Sequence, residues 1–188
     1  MFCSGYFPIQ QVNDATLHVQ QDLFKSGFWY EDTRLNQASV FWTGVPSASS
    51  LGLFYHGSSK LNRAFGFSDG NIFIPSITIS KWIKPHQQVS LRDIIRHEYG
   101  HAMAHYYPEL IVDNREFRKV FNGHYYDSKS ALNDDGSNYV SLYAQSSPME
   151  DFAETFMVYT RRHGRPLKKM NKGLLAKWAF IDWLSDNV

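Results

Sequence analysis

One short stretch limits what this chain can be: His97-Glu98-Tyr99-Gly100-His101, set within the run from Ile94 to His105. Residues four apart on an α-helix share a face one turn apart, so the two imidazoles can reach a single ion. Glu98 follows the first histidine and projects beside the same point, where its carboxylate can accept a proton from a metal-activated water. The pattern carries that chemistry only on a helix. The flanking residues supply one: Ser90 to cap it, Asp93 three residues later, apolar Leu91, Ile94, Ile95, Ala102 and Met103 on its faces, and no proline before Pro108. The bland alternative, a helix burying two satisfied histidines beside a chance glutamate, explains less, because motif and context agree.

A catalytic zinc takes three protein ligands and keeps a fourth position open. His105 does not supply the third, since it stands roughly 12 Å along the helix axis from His97. The histidine that metzincin spacing would place six residues past His101 is replaced by Tyr107. The better candidates are Glu150 and Glu154, four apart on a helix opened by Ser147 at the cap and Pro148 at the first position. One can bind the metal while the other holds a histidine from behind. Spacing alone does not say which. Glu150 could instead complete a capping box with Ser147, and Glu154 could be a solvated glutamate.

The rest of the chain narrows the class. At 188 residues it suits one domain, 1–188, with a helix-and-sheet lobe over 1–89 and a helical lobe over 90–188 that carries both motifs. Nineteen basic and eighteen acidic side chains leave a formal charge of +1, without the basic excess of a nucleic-acid footprint. A single cysteine, Cys3, excludes an intrachain disulfide framework and a cysteine-bound structural zinc. The first residues lack the charged start and apolar run of a classical signal peptide, and no stretch has the apolar length of a membrane span. These features describe a soluble protein, expected to be a monomer, whose compartment the residues do not name.

Periodicity predicts a helix over Val12 to Lys25, strands near 39–45 and 51–56, and a hairpin joining 64–67 to 71–74 through Ser68-Asp69-Gly70. Pro75 argues for an edge strand, because proline cannot donate to a central ladder. Helices follow from Ser90, over 114–121, over 147–163 and over 172–184, with a polar loop at 127–138. The fold class is therefore α+β: a small antiparallel sheet with an edge strand over an active-site helix, then a mainly helical C-terminal part. An extended substrate could add to the edge at Ile72, Phe73 and Ile74, within the segment from Asn71 to Ser80.

The two motifs together, His97-Glu98-Tyr99-Gly100-His101 and Tyr143-Ala144-Gln145-Ser146-Ser147-Pro148-Met149-Glu150-Asp151-Phe152-Ala153-Glu154-Thr155-Phe156, resemble the catalytic domain of the lethal-factor-type zinc metallopeptidases of the gluzincin group. The likeness covers about Leu91 to Tyr159. It implies a zincin-like fold, one catalytic zinc ion on His97, His101 and Glu150, Glu98 as general base, and Glu154 in support behind a ligand. It also implies Tyr143 as the phenol that hydrogen-bonds the oxyanion. Asp151 and Phe152 depart from the family pattern between the two glutamates, which weakens any inference about substrate. The function implied is zinc-dependent hydrolysis of peptide bonds in a protein or peptide, with a bacterial effector or toxin protease acting in a host cytoplasm as one setting. The rivals are a zinc-binding interaction module without catalysis and a metal-dependent hydrolase of non-peptide bonds. The intact Glu98 argues against the first.

Overall fold

A computed structural model of the chain describes residues 6–43, 52–55, 69–75, 90–128 and 136–188. Helix α1, Tyr6–Lys25, turns one face inward through Val12, Ala15, Val19 and Leu23, all buried. That is the spacing of one helical stripe. Gly27, at φ +83°, ends the helix in a left-handed conformation that glycine adopts without steric cost. A 3-10 turn over Arg34–Gln37 then leads to the sheet.

The sheet comprises β1 (Val40–Thr43), β2 (Leu53–Tyr55) and β3 (Asn71–Pro75), in the spatial order β1-β3-β2. β2 runs antiparallel to β3, with Phe54 opposite Ile72, whereas β1 runs parallel to it, with Phe41 opposite Phe73. This corrects two expectations. The sheet is mixed rather than antiparallel, and among the described residues Asn71–Pro75 is its central strand rather than an edge. Pro75 is tolerated because it stands last, opposite Thr43 at the end of β1: residues 71–73 pair with β2 and 72–75 with β1. Ile72 and Ile74 are fully buried and Phe73 nearly so. With its backbone paired on both sides, β3 has no open edge for a substrate strand. The partner expected at 64–67, and Ile77-Thr78-Ile79 beyond Pro75, lie outside the described residues.

Helix α2, Leu91–Tyr106, starts where the cap predicts. Ser90 Oγ accepts from the Asp93 backbone N–H at 3.1 Å and donates to Asp93 Oδ2 at 2.9 Å. Twelve of its sixteen residues are buried, because α1, β2, β3 and a later helix all pack on it. A short helix α3, Arg115–Val120, is capped by Asn114. Helix α4, Pro148–Arg161, is capped by Ser147, and helix α5, Lys172–Ser185, by Asn171. Phe117, Phe121, Phe152 and Phe156 are completely buried and, with Phe180 and Tyr125, form a ring cluster joining α3, α4 and α5. Edge-to-face and tilted contacts of this kind add to the area they bury.

Two buried polar groups hold these helices in register. In the first, Asp22 of α1 accepts from both Nη2 (2.5 Å) and Nε (3.2 Å) of Arg96 on α2 and meets His163 Nε2 at 2.8 Å. Arg96 also donates to Asp93 at 2.7 Å, and Arg161 to the other oxygen of Asp93 at 3.2 Å. In the second, Lys177 of α5 is wholly buried, with Nζ 2.7 Å from Asp151 Oδ2 and 2.6 Å from the Asn138 carbonyl. It also lies 4.2 Å from the centre of the Tyr139 ring. A buried ammonium is tolerated only when paired and hydrogen-bonded in this way.

Candidate metal centre

Helices α2 and α4 cross with their polar residues facing. His97 and His101 stand one turn apart on α2, their rings 4.8 Å apart, and their Nε2 atoms come within 3.1 Å of each other. Glu150, in the first turn of α4, enters from the opposite side. Its backbone N–H goes to the Ser147 cap at 3.2 Å, which leaves the carboxylate free to face the imidazoles. Oε2 lies 3.1 Å from His97 Nε2 and 3.6 Å from His101 Nε2. One ligand atom from each of the three residues lies within 4.8 Å of the others, a group that could hold a metal ion.

The chemistry of the three atoms fits a cation. Two imidazole nitrogens and a carboxylate oxygen are the donor set of a catalytic zinc site with an open fourth position. Glu150 Oε2 is buried without a well-formed hydrogen bond, an arrangement that costs free energy unless something positive sits there. Burial would raise the Glu150 carboxyl, but the two imidazoles outweigh it and hold the group well below the ordinary carboxylate range. Burial would likewise lower His97, yet Glu150 and Glu154 raise it to about 10.

Each imidazole is also held from behind. Glu154 Oε1 sits 2.8 Å from His97 Nδ1, and Tyr125 Oη sits 3.1 Å from His101 Nδ1. Partners on Nδ1 set the tautomer that presents Nε2 to an ion. Tyr125 is buried, and burial, with Tyr126, Glu150 and Glu98 nearby, pushes its phenol well above its usual range, so it stays protonated. Glu154 is anchored in turn by Ser141, whose hydroxyl donates to Oε2 at 2.6 Å. Sequence reasoning missed Tyr125 and Ser141. Neither lies at a motif spacing, and Tyr125 is one of eleven tyrosines.

Glu98 is buried on the sheet side of α2, where its Oε2 accepts from the Phe54 backbone N–H of β2 at 2.6 Å. A Cβ added at Gly52 would come 2.6 Å from Glu98 Oε1, so glycine there makes room for the carboxylate. Tyr143 opens a 3-10 turn over Tyr143–Gln145, is 56% exposed, and has its ring centre 5.8 Å from that of His97. Its phenol is pushed up to about 12, by burial first and then by the negative charges of Glu150, Glu98 and Glu154. The structure thus brings His97, Glu98, His101, Tyr143, Glu150 and Glu154 together. Ile72, Phe73 and Ile74 lie buried in the central strand. His105 packs instead between Phe54 and Tyr106.

Residues 58–164, more than half of the chain, match the sequence model of a family described as "putative zinc-binding metallo-peptidase". The chain belongs to this family. No curated protein and no solved structure matches it. The matched span contains α2, Tyr125, the Tyr143 turn and both glutamates of α4, and it excludes Gly52, Phe54 and Lys177. Membership implies a protein or peptide substrate. Among the described residues, no helix is long and apolar enough to cross a membrane.

Proposed function

We propose that the chain is a zinc-dependent endopeptidase of the gluzincin type, zincin-like in arrangement, in which His97, His101 and Glu150 would hold one catalytic ion. The convergence of His97 Nε2, His101 Nε2 and Glu150 Oε2, with Glu98 alongside, carries this reading. Zinc bound there supplies a Lewis acid that brings the acidity of water toward neutrality and polarises a carbonyl. Glu98 takes the proton of the attacking water and returns it to the leaving amine, the general-base and general-acid roles of one carboxylate. Glu154 and Tyr125 keep both rings oriented with Nε2 toward the centre. The Tyr143 hydroxyl, protonated at neutral pH, donates to the oxyanion.

The test is zinc content together with cleavage of a broad peptide mixture, wild type beside Glu98→Gln. The expected result is one zinc in both and a loss of cleavage of at least about 10²-fold in the variant. Cleavage that survives Glu98→Gln removes Glu98 as the base. Absence of zinc binding at neutral pH removes the peptidase reading.

A further inference from the structure

The turn that carries Tyr143 is poorly anchored on its outer side. Leu142 is 87% exposed, its own side chain offers no cap to the turn, and Tyr143 is itself largely exposed. The attachments lie underneath. Ala144 is fully buried, Ser146 Oγ donates to the Tyr143 carbonyl at 2.7 Å, and the Ala144 backbone N–H donates to Ser141 Oγ at 3.1 Å. Ser141 thus accepts from the turn with the same hydroxyl that it donates to Glu154 Oε2, whose other oxygen holds His97 Nδ1. An unbroken chain runs from Ala144 N–H through Ser141 and Glu154 to His97.

We propose that Ser141 is a positioning residue that couples the placement of Tyr143 to the metal-binding state of His97. The proposal rests on the peptidase reading for the role of Tyr143, but the coupling itself is a property of the hydrogen-bond chain. A hydroxyl is required because one atom must donate to a carboxylate and accept from an amide at once. Alanine does neither, whereas threonine can do both. An ion on His97 Nε2 would fix the ring and with it the Nδ1 contact to Glu154; Glu154 in turn holds the Ser141 hydroxyl, and Ser141 holds the Ala144 N–H of the turn.

Two measurements on the full chain test it. The first is amide hydrogen exchange at Ala144, with and without zinc, in wild type, Ser141→Ala and Ser141→Thr. Wild type is expected to exchange more slowly with zinc. Ser141→Ala is expected to exchange about fivefold faster, as loss of one ordinary hydrogen bond gives, and to lose its response to zinc. Ser141→Thr should restore both. An unchanged zinc response in Ser141→Ala overturns the proposal, as does the absence of any response in a zinc-loaded wild type.

The second is steady-state peptide cleavage. Ser141→Ala should lower kcat about tenfold with KM and zinc affinity nearly unchanged, and should cost nothing further in a Tyr143→Phe background. An equal loss in both backgrounds, or a large fall in zinc affinity, would mean that Ser141 acts through His97 alone and would sink the coupling. Failure of the peptidase reading shows differently, as missing zinc or as activity retained in Glu98→Gln. The metal-free exchange rate at Ala144 in Ser141→Ala still decides in that case whether Ser141 holds the turn.

Discussion

A Cβ atom added at Gly100 would stand 2.9 Å from the Cα of Ala153. Gly100 lies inside the histidine motif on α2 and Ala153 lies between the two glutamates on α4, so the helices touch backbone to backbone beside the candidate metal donors. Interior glycine costs a helix about 1 kcal/mol relative to alanine. Here it sets the separation at which His97 and Glu150 come within 3.1 Å.

Gly100→Val should therefore be worse than its helix propensity suggests. The expected destabilisation is about 1–3 kcal/mol, the usual range for overpacking a tight contact. Zinc should bind more weakly because α4 is pushed away from α2. Urea denaturation and competition with a chromogenic chelator would check the two effects separately. Full zinc affinity in Gly100→Val would mean that the helices have slack that this contact does not suggest.

The two glutamates of α4 should separate cleanly by metal affinity. Glu150→Ala removes one of three donors and should abolish stoichiometric zinc. Glu154→Gln and Tyr125→Phe change only what holds the imidazoles from behind, and each should weaken zinc by about 10–100-fold. Zinc should also raise the thermal midpoint of the wild type in proportion to the logarithm of its excess over Kd, and a chelator should reverse that. Equal losses in Glu150→Ala and Glu154→Gln would leave the assignment of the third ligand open to Glu154.

Lys177→Met should be among the most damaging changes outside the centre. It strands Asp151, already pushed up to about 6 by burial against the pull of Lys177, without a counter-ion. Removing one partner of a buried pair costs about 3–5 kcal/mol. The double change Lys177→Met with Asp151→Leu should recover most of that, because the second substitution removes the stranded charge. Denaturant midpoints of the two single variants and the double variant would decide it.

The Asp22 cluster predicts an acid limb to stability. Burial would raise Asp22, but the hydrogen bonds from Arg96 and His163 outweigh it, and the folded value lies below the ordinary 3.8. A depressed carboxyl contributes stability that is complete above its unfolded value and is lost as pH falls through the folded one. Asp22→Asn should thus be less stable than wild type by about 3 kcal/mol near neutrality. The gap should persist down to about pH 4 and close below it. Urea midpoints measured from pH 7 to pH 2.5 would reveal a constant gap if the ion pair contributed nothing.

What could be read from the chain in advance is what depends on local spacing. Ser90 with Asp93, and Ser147 with Pro148, mark helix starts because capping involves residues only three apart. Two histidines and two glutamates at four-residue intervals declare their faces for the same reason. Which glutamate meets which nitrogen of His97 depends on how far α4 is offset along α2, and no local pattern encodes that. Tyr125 and Ser141 are invisible for the same reason, since each matters only through a partner brought to it by packing. By sequence β3 reads as an edge, because Pro75 and the Ser68-Asp69-Gly70 turn are strong local signals. The parallel pairing with Val40–Thr43, distant along the chain, leaves no local mark. Lys177 reads as a surface residue by composition, and only the structure shows it beneath Tyr139.

The order of the donors along the chain has a further consequence, in time rather than in space. During synthesis His97 and His101 are complete long before Glu150 exists, and α4 follows only after the segments carrying Tyr125, Ser141 and Tyr143. At about 5–20 residues per second, a nascent chain spends several seconds with two imidazoles and no opposing carboxylate. It can hold a metal only loosely in that interval and has no formed cleft beside it. On the function proposed above, no cutting can begin until the second half of the chain has folded onto the first.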